Sequence, residues 1–282
     1  MRNHVLQPPF ATGVHDAEYP QLWSGMMFGW SANLGITGGM IRDRSGRANH
    51  GTLTNADLDT YWGRSYGYAR LAFFTSYVTI PRNGRFDFSS TNLFWSAWVS
   101  DLTTNGIICS TILNSSPYSG WEIACGTISA NKLQLWNSSA WVASTSNVTG
   151  TGIRHLCVFN DGVNTQFFIN GQLDATVSHI RSATPGDSNL VIGARVSGWN
   201  AMNCRVHDFY IGTAQTSTVQ SLVTMLYFLG PGGWARRKSP ASVCVPLQTR
   251  PPLRRTRSIT PNQCVDIQFR HRNIGHGRLK AG

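Results

Sequence analysis

The chain has 282 residues and a formal net charge of +11, yet only 13% of its residues are charged. That length can bury a substantial core, and the supply of Gly, Ser, Thr, Asn and aromatic residues suits a turn-rich all-β domain. No apolar run approaches the roughly 18 residues needed to cross a bilayer, and "MRNHVLQPPFATG" lacks the apolar centre of a secretory signal, so neither a membrane partner nor an export route is expected.

Residues 1–21 read as an extended N-terminal arm. Short strand-like runs bounded by turn residues come next, in order: "MMFGW", "YARLAFF", "YVTIP", "LFWSAWVS", "GIICSTIL", "WEIAC", "KLQLW", "HLCVFN", "TQFFING", "LVIGAR" and "RVHDFYIG". In "FWSAWVS", Phe94, Ser96, Trp98 and Ser100 alternate with Trp95, Ala97 and Val99, the period of two of a strand. "NDGVN" (160–164) and "NGQ" (170–172) are hairpin signals, because tight turns need positive φ. Many short strands without intervening helices imply an antiparallel sandwich spanning 22–230. One short helix is expected at its end: Ser217 and Gln220 form a capping box, Val219, Leu222, Val223 and Leu226 share a face, and Gly230-Pro231 stops it. Residues 231–282 form a basic Pro/Arg-rich arm. From Gly232 onward there are eleven Lys/Arg against one acid, Asp266, or +10, whereas the first 231 residues hold 13 basic and 12 acidic groups.

The six cysteines (109, 125, 157, 204, 244 and 264) show no C-x-x-C spacing, which points away from zinc or redox chemistry and towards free thiols in a reducing cytoplasm. A bridge is the alternative if "GIICSTIL" and "GWEIAC" pair across a loop centred on Pro117, which sets Cys109 opposite Cys125. There is no H-E-x-x-H and no G-x-S-x-G. The polar stretch "IRDRSGRANHGTLTN" (41–55) poses the main chemical question. Its structural reading is a turn in which Asp43 and Ser45 bond neighbouring backbone N–H groups while Gly46 and Gly51 supply special dihedrals.

The ordered series D-x-S-G-x-x-N-H-G (Asp43 to Gly51), "YVTIP", "FWSAWV", "GWEI", "RHLCVFNDGVNTQFFINGQLDAT", "LVIGAR", "MNCRVHDFYIG" and "TSTVQSLVTMLY" resembles the laminin-G-like branch of the concanavalin A-like lectin/glucanase superfamily, over about residues 22 to 228. The resemblance implies an all-β jelly-roll sandwich of two antiparallel sheets. The opening "YPQLWSGMMFGWSANLGITGGMIRDRSGRANHGTLTN" resembles the variant found in tailed-phage structural proteins, in which a bare lectin-like domain precedes a short arginine-rich end. This second resemblance implies a virion component, made in the host cytoplasm, with capsid or tail proteins as partners and a second copy of the chain as a further candidate.

The resemblance also frames the candidate sites. A structural calcium ion would need Asp43 and Asp208 among 6–8 oxygens; relatives carry two consecutive aspartates where this chain has His207 and Asp208, so no cofactor is expected. Glucanase chemistry would need an E-x-D-x-x-E strand, but the chain has only Glu18 and Glu122, and Ala124 stands where the aspartate would be. The expectation is a protein that is not an enzyme. Host glycan binding would use exposed rings and amides on rim loops: Trp199 and Asn200, Trp141, and Tyr118. Trp95, Trp98 and Trp136 are expected to fill the core. Arg236, Arg237, Arg254, Arg255 and Arg257 would anchor the arm to an acidic partner surface or, in an internal virion protein, to nucleic acid, unless the arm is simply solvated. "VDIQF" (265–269) alternates like a strand that could extend a neighbour's sheet. A free carbohydrate-binding lectin is the alternative function.

Overall fold

The structure, a computed structural model, describes residues 20–31, 39–54, 69–71, 76–82, 86–103, 105–112, 119–137, 140–181, 188–195 and 200–231. Two antiparallel sheets face each other. The first runs β1 (Met26–Ser31), β15 (Cys204–Gly212), β6 (Leu93–Ser100), β11 (Arg154–Asn160), β12 (Asn164–Ile169) and β13 (Gln172–Ser178), with β4 (Ala69–Leu71) also paired to β15. The second runs β10 (Trp141–Asn147), β9 (Lys132–Trp136), β8 (Glu122–Cys125), β7 (Gly106–Ser110), β14 (Leu190–Ile192), β5 (Tyr77–Ile80), β3 (Gly51–Thr54) and β2 (Met40–Ile41). This is the expected all-β concanavalin A-like sandwich with a helix at the end of the described chain, α2 (Val219–Leu229). A six-residue helix, α1 (Pro20–Gly25), precedes β1 and was not expected, nor were β2, β3, β10 and β13. No helix among the described residues is long and apolar enough to cross a membrane.

Period-two alternation builds the core. Trp95, Ala97 and Val99 of β6 pack with Phe28, Trp30, Leu156, Val158, Phe167, Phe209 and Ile211 across to Val78, Ile80, Cys109, Ile123, Leu133 and Leu135 of the second sheet. The opposite face of β6 is also buried, so all eight of its residues are inside. The cause is α2: Val219, Leu222, Val223 and Leu226 cover Phe94, Cys157, Phe159, Phe168 and Tyr210. Each such side chain, removed from water, stabilises the fold by about 1.5–3 kcal/mol. Trp98 stacks on Tyr227 of α2 at 5.7 Å, beside the buried His155, whose imidazole burial holds neutral down to about 3.

Local chemistry ends the elements. Asn170 and Gly171 both take positive φ between β12 and β13, as the "NGQ" signal requires, and Gly162 turns β11 into β12 with Asp161 Oδ1 accepting the Val163 and Asn164 N–H groups. Gly230 stops α2 at φ 68° and donates to Tyr227 O. The capping box does not form: the N-cap is Thr218 without a side-chain cap bond, and Gln220 Nε2 instead donates to Gly171 O and Thr224 Oγ1. The facing of Cys109 and Cys125 is likewise corrected. β7 and β8 do pair, but the register shifts between Ile107 and Cys109, so Cys109 lies opposite Ile123 and Cys125 opposite Gly106. Cys109, Cys125, Cys157 and Cys204 are free and buried; burial pushes the last three thiols up to about 12.

Candidate glycan-binding face

The stretch from Ile41 to Gly51 is a structural turn. Asp43 Oδ1 accepts the N–H groups of Gly29 at 3.1 Å and Ser45 at 2.8 Å, and Oδ2 accepts the Asn49 N–H at 2.9 Å with the Ser45 hydroxyl 2.6 Å away. His50 Nδ1 accepts the Asp43 N–H. Asn49 Nδ2 donates to Met27 O and Arg47 Nε to Met26 O, so the turn occupies backbone acceptors along β1, the edge of the first sheet. Leaving β2 and returning as β3, this segment closes one side of the sandwich. With four protein donors around it, the Asp43 carboxylate organises the turn. Asp208 is buried on β15, opposite Ser31 and Trp98. Among the described residues no three His, Cys, Asp or Glu side chains are placed to hold a metal ion.

Chemistry is richer on the outward face of the second sheet. Its strand registers align one row across all eight strands: Met40, Thr52, Thr79, Val191, Ser110, Glu122, Trp136 and Trp141. Leu135 and Val142, next to the two tryptophans, pack on the core, so alternation turns Trp136 and Trp141 outward. Both are half-buried register partners at the β9–β10 end. Trp136 therefore does not fill the core as expected, whereas Trp95 and Trp98 are buried. The period of "KLQLW", with Leu133 and Leu135 inside, carries the signal that places Trp136 outside.

Mid-row, Glu122 is fully buried. Arg195 binds it with Nε on Oε2 and Nη2 on Oε1 at 2.9 Å, and Ser110 Oγ donates to Oε2 at 3.2 Å. Burial lifts the carboxyl above its ordinary range, against the opposing pull of Arg195 and Ser110. The pair ties the segment after β14 onto β7 and β8, where Gly193 N donates to Ile108 O, Met202 N to Gly193 O and Ile107 N to Asn200 O. Its oxygens are thus engaged in holding a loop. Nothing in the sequence links Glu122 to Arg195, which lies 73 positions later.

Of the candidate residues read from the sequence, Trp141 lies on this face. Asn200, at φ 54°, holds its backbone oxygen on Ile107. Three strand spacings, about 14 Å, separate β10 from β7, so Trp141 and Asn200 do not meet directly. Trp199, Tyr118, Arg236, Arg237, Arg254, Arg255 and Arg257 lie outside the described residues.

Solved structures share this architecture. The binding domain of Paraclostridial Mosquitocidal Protein 1 superposes with a TM-score of 0.55 at 18% identity, covering 73% of this chain and 52% of that one. Botulinum neurotoxin type C, whose cell entry depends on interaction with two ganglioside molecules, gives 0.53 at 14% identity over 73% and 51%. Trypanosoma rangeli sialidase gives 0.54 at 12% identity over 73% and 33%. The chain thus spans about half or less of these proteins, and the likeness is one of fold. No curated protein sequence matches the chain. A laminin-G-type family model described as "Concanavalin A-like lectin/glucanases superfamily" matches residues 74–217, just over half of the chain. With two facing antiparallel sheets beneath that match, the chain belongs to the concanavalin A-like lectin/glucanase superfamily.

Proposed function

We propose that this protein is a non-enzymatic glycan-binding sandwich, carried on a phage-like virion by its basic C-terminal arm. The observation that carries the binding part is the outward pair Trp136 and Trp141. A half-buried indole is rigid and costs little entropy to dock; its face suits the C–H surface of a pyranose, and nearby amides suit the hydroxyls. The ganglioside dependence of botulinum neurotoxin type C gives the fold a precedent for glycans, at the level of fold alone. Support for a non-enzymatic role is chemical. Both oxygens of Glu122 are bound by Arg195 or Ser110, Ala124 stands beside it on β8, and the only other glutamate is Glu18. The virion part rests on the resemblance of the opening segment and on segregated charge, with +10 on the arm against a nearly neutral body. A glycan array probed with the full chain, Trp136→Ala and Trp141→Ala tests the reading. At least one glycan class should bind, and each substitution should weaken it tenfold or more, since stacking contacts are worth about 0.5–1.5 kcal/mol beyond the apolar area they bury. An array without signal would overturn it.

A further inference from the structure

At one end of the sandwich, several loops gather around Arg181. Its backbone N–H reaches Gly162 O, and its Nη2 donates to Asp161 O at 2.9 Å and to Asn92 Oδ1 at 3.2 Å; Asn92 Nδ2 in turn donates to Ala214 O. Two clefts flank the Asn92–Arg181 contact, Asn92 lining the larger and Arg181 the smaller. The larger, about 540 Å³, is lined by the hydroxyls and amides of Ser24, Thr91, Asn92, Thr213, Gln215 and Thr218 together with apolar surface that includes Leu222, and carries no charge and no aromatic ring. It falls within the ≈ 300–1,000 Å³ typical of small-ligand sites. The smaller, about 30 Å³, runs beside Arg181 between Asp87, Trp121 and Asn137. It has room for two or so waters at about 10–15 Å³ each, and none for a ring.

Among the described residues the guanidinium has no counter-charge paired with it. Arg181 is held by two neutral oxygens, Nη1 is buried without a hydrogen-bond partner, and no carboxylate among the described residues forms an ion pair with it. Asp161, whose backbone oxygen takes Nη2, turns its carboxylate to the Val163 and Asn164 N–H groups; Asp174 accepts the Thr145 and Ser146 N–H groups, and Asp87 Oδ1 accepts from Ser89 N. A buried donor left unsatisfied is costly, and a guanidinium is shaped to take a carboxylate through two parallel bonds. Because Asn92 both lines the larger cleft and contacts Nη2, a ligand carboxylate that replaces its amide oxygen gains the arginine's charge.

We infer that this loop end is a second saccharide site, built for a carboxylate-bearing sugar unit, with the ring on the Ser/Thr/Gln shelf and the acid group on Arg181. The shelf has no aromatic ring on which a nucleobase would stack, and its uncharged mixture of hydroxyls, amides and apolar surface matches the hydroxyl and C–H surfaces of a sugar ring. This inference rests on the glycan-binding reading above and adds a ligand class and a place.

The test is calorimetric titration of the full chain with sialyllactose against lactose and with glucuronic acid against glucose. The acidic member of each pair should bind at least tenfold more tightly in low salt. Arg181→Gln should abolish that preference while leaving lactose binding unchanged, and Arg181→Lys should keep part of it. Gln215→Trp, at an exposed position, fills the larger cleft without touching Arg181 and should also abolish the preference, which guards against misfolding of the arginine variants. Equal affinities within each pair, or a preference that survives Arg181→Gln, would overturn this site and leave the tryptophan face standing. If none of the four sugars binds at any concentration, this site falls, and the tryptophan face is judged by the glycan array alone.

Discussion

Asp43 shows how one side chain settles what a polar stretch does. Three backbone N–H groups and a hydroxyl converge on it, so Asp43→Ala strands several donors at once. A loss of about 2–4 kcal/mol is expected in denaturant unfolding, with Asp43→Asn costing less because one acceptor oxygen survives. The role was legible in the sequence because most partners lie within six residues, where Asp and Ser bond the backbone by local geometry. Glu122 was illegible as a structural residue because its partner is remote. Its folded pKa is raised, so the folded state holds the proton more tightly than the unfolded chain. The stability it contributes is therefore present below the ordinary carboxylate range and declines as pH climbs through the raised value. Glu122→Gln should flatten that decline, while Arg195→Met, which strands a buried carboxylate, should cost about 3–5 kcal/mol at neutral pH and steepen it. Equal pH profiles for wild type and Glu122→Gln would refute this assignment.

Turns and the closing helix set the order of the elements, and their glycines differ in a way that can be measured. Gly171, at φ 82°, would place a Cβ 2.8 Å from the Tyr227 ring, whereas Gly46, at φ 78°, has open space around it. Gly46→Ala should cost only the backbone conformation, about 1–2 kcal/mol. Gly171→Ala should cost clearly more and loosen α2, visible as faster hydrogen exchange from Val219 to Leu229. The pattern at 170–172 announced a turn; that the same glycine makes room for the helix is a tertiary fact beyond any local signal. The helix face was legible for the same reason that its cap was not. Four apolar positions at helical spacing can only bury one side, but Gln220 has two competing partners, Thr224 one turn along the helix and Gly171 O, the latter in place only once β12 and β13 have paired. β10 and β13 were missed because both are edge strands, half-exposed and polar. Asp174 of β13 accepts the Thr145 and Ser146 N–H groups of β10, tying the two edges together.

Across the whole molecule, the two sheets divide the work. The first carries apolar side chains on both faces because helices cover its back, while the second has its outward row covered at Val191, Ser110 and Glu122 and half-buried at Trp136 and Trp141. Charge is divided as well, with the basic excess beyond Gly232. If the arm anchors the protein, the full chain should bind purified particles with an affinity that drops steeply with salt, and a chain ending at Pro231 should not bind them. Retention by DNA at least as tight as by particles would move the arm to nucleic acid. A non-enzymatic, glycan-binding sandwich is best checked by recovering a glycan from residues 1–231 alone and measuring its mass after prolonged incubation. Such a sandwich retains the glycan as well as the full chain does, loses it in Trp141→Ala, and returns it intact. A glycan returned cleaved, or one that binds the full chain alone, would contradict that function.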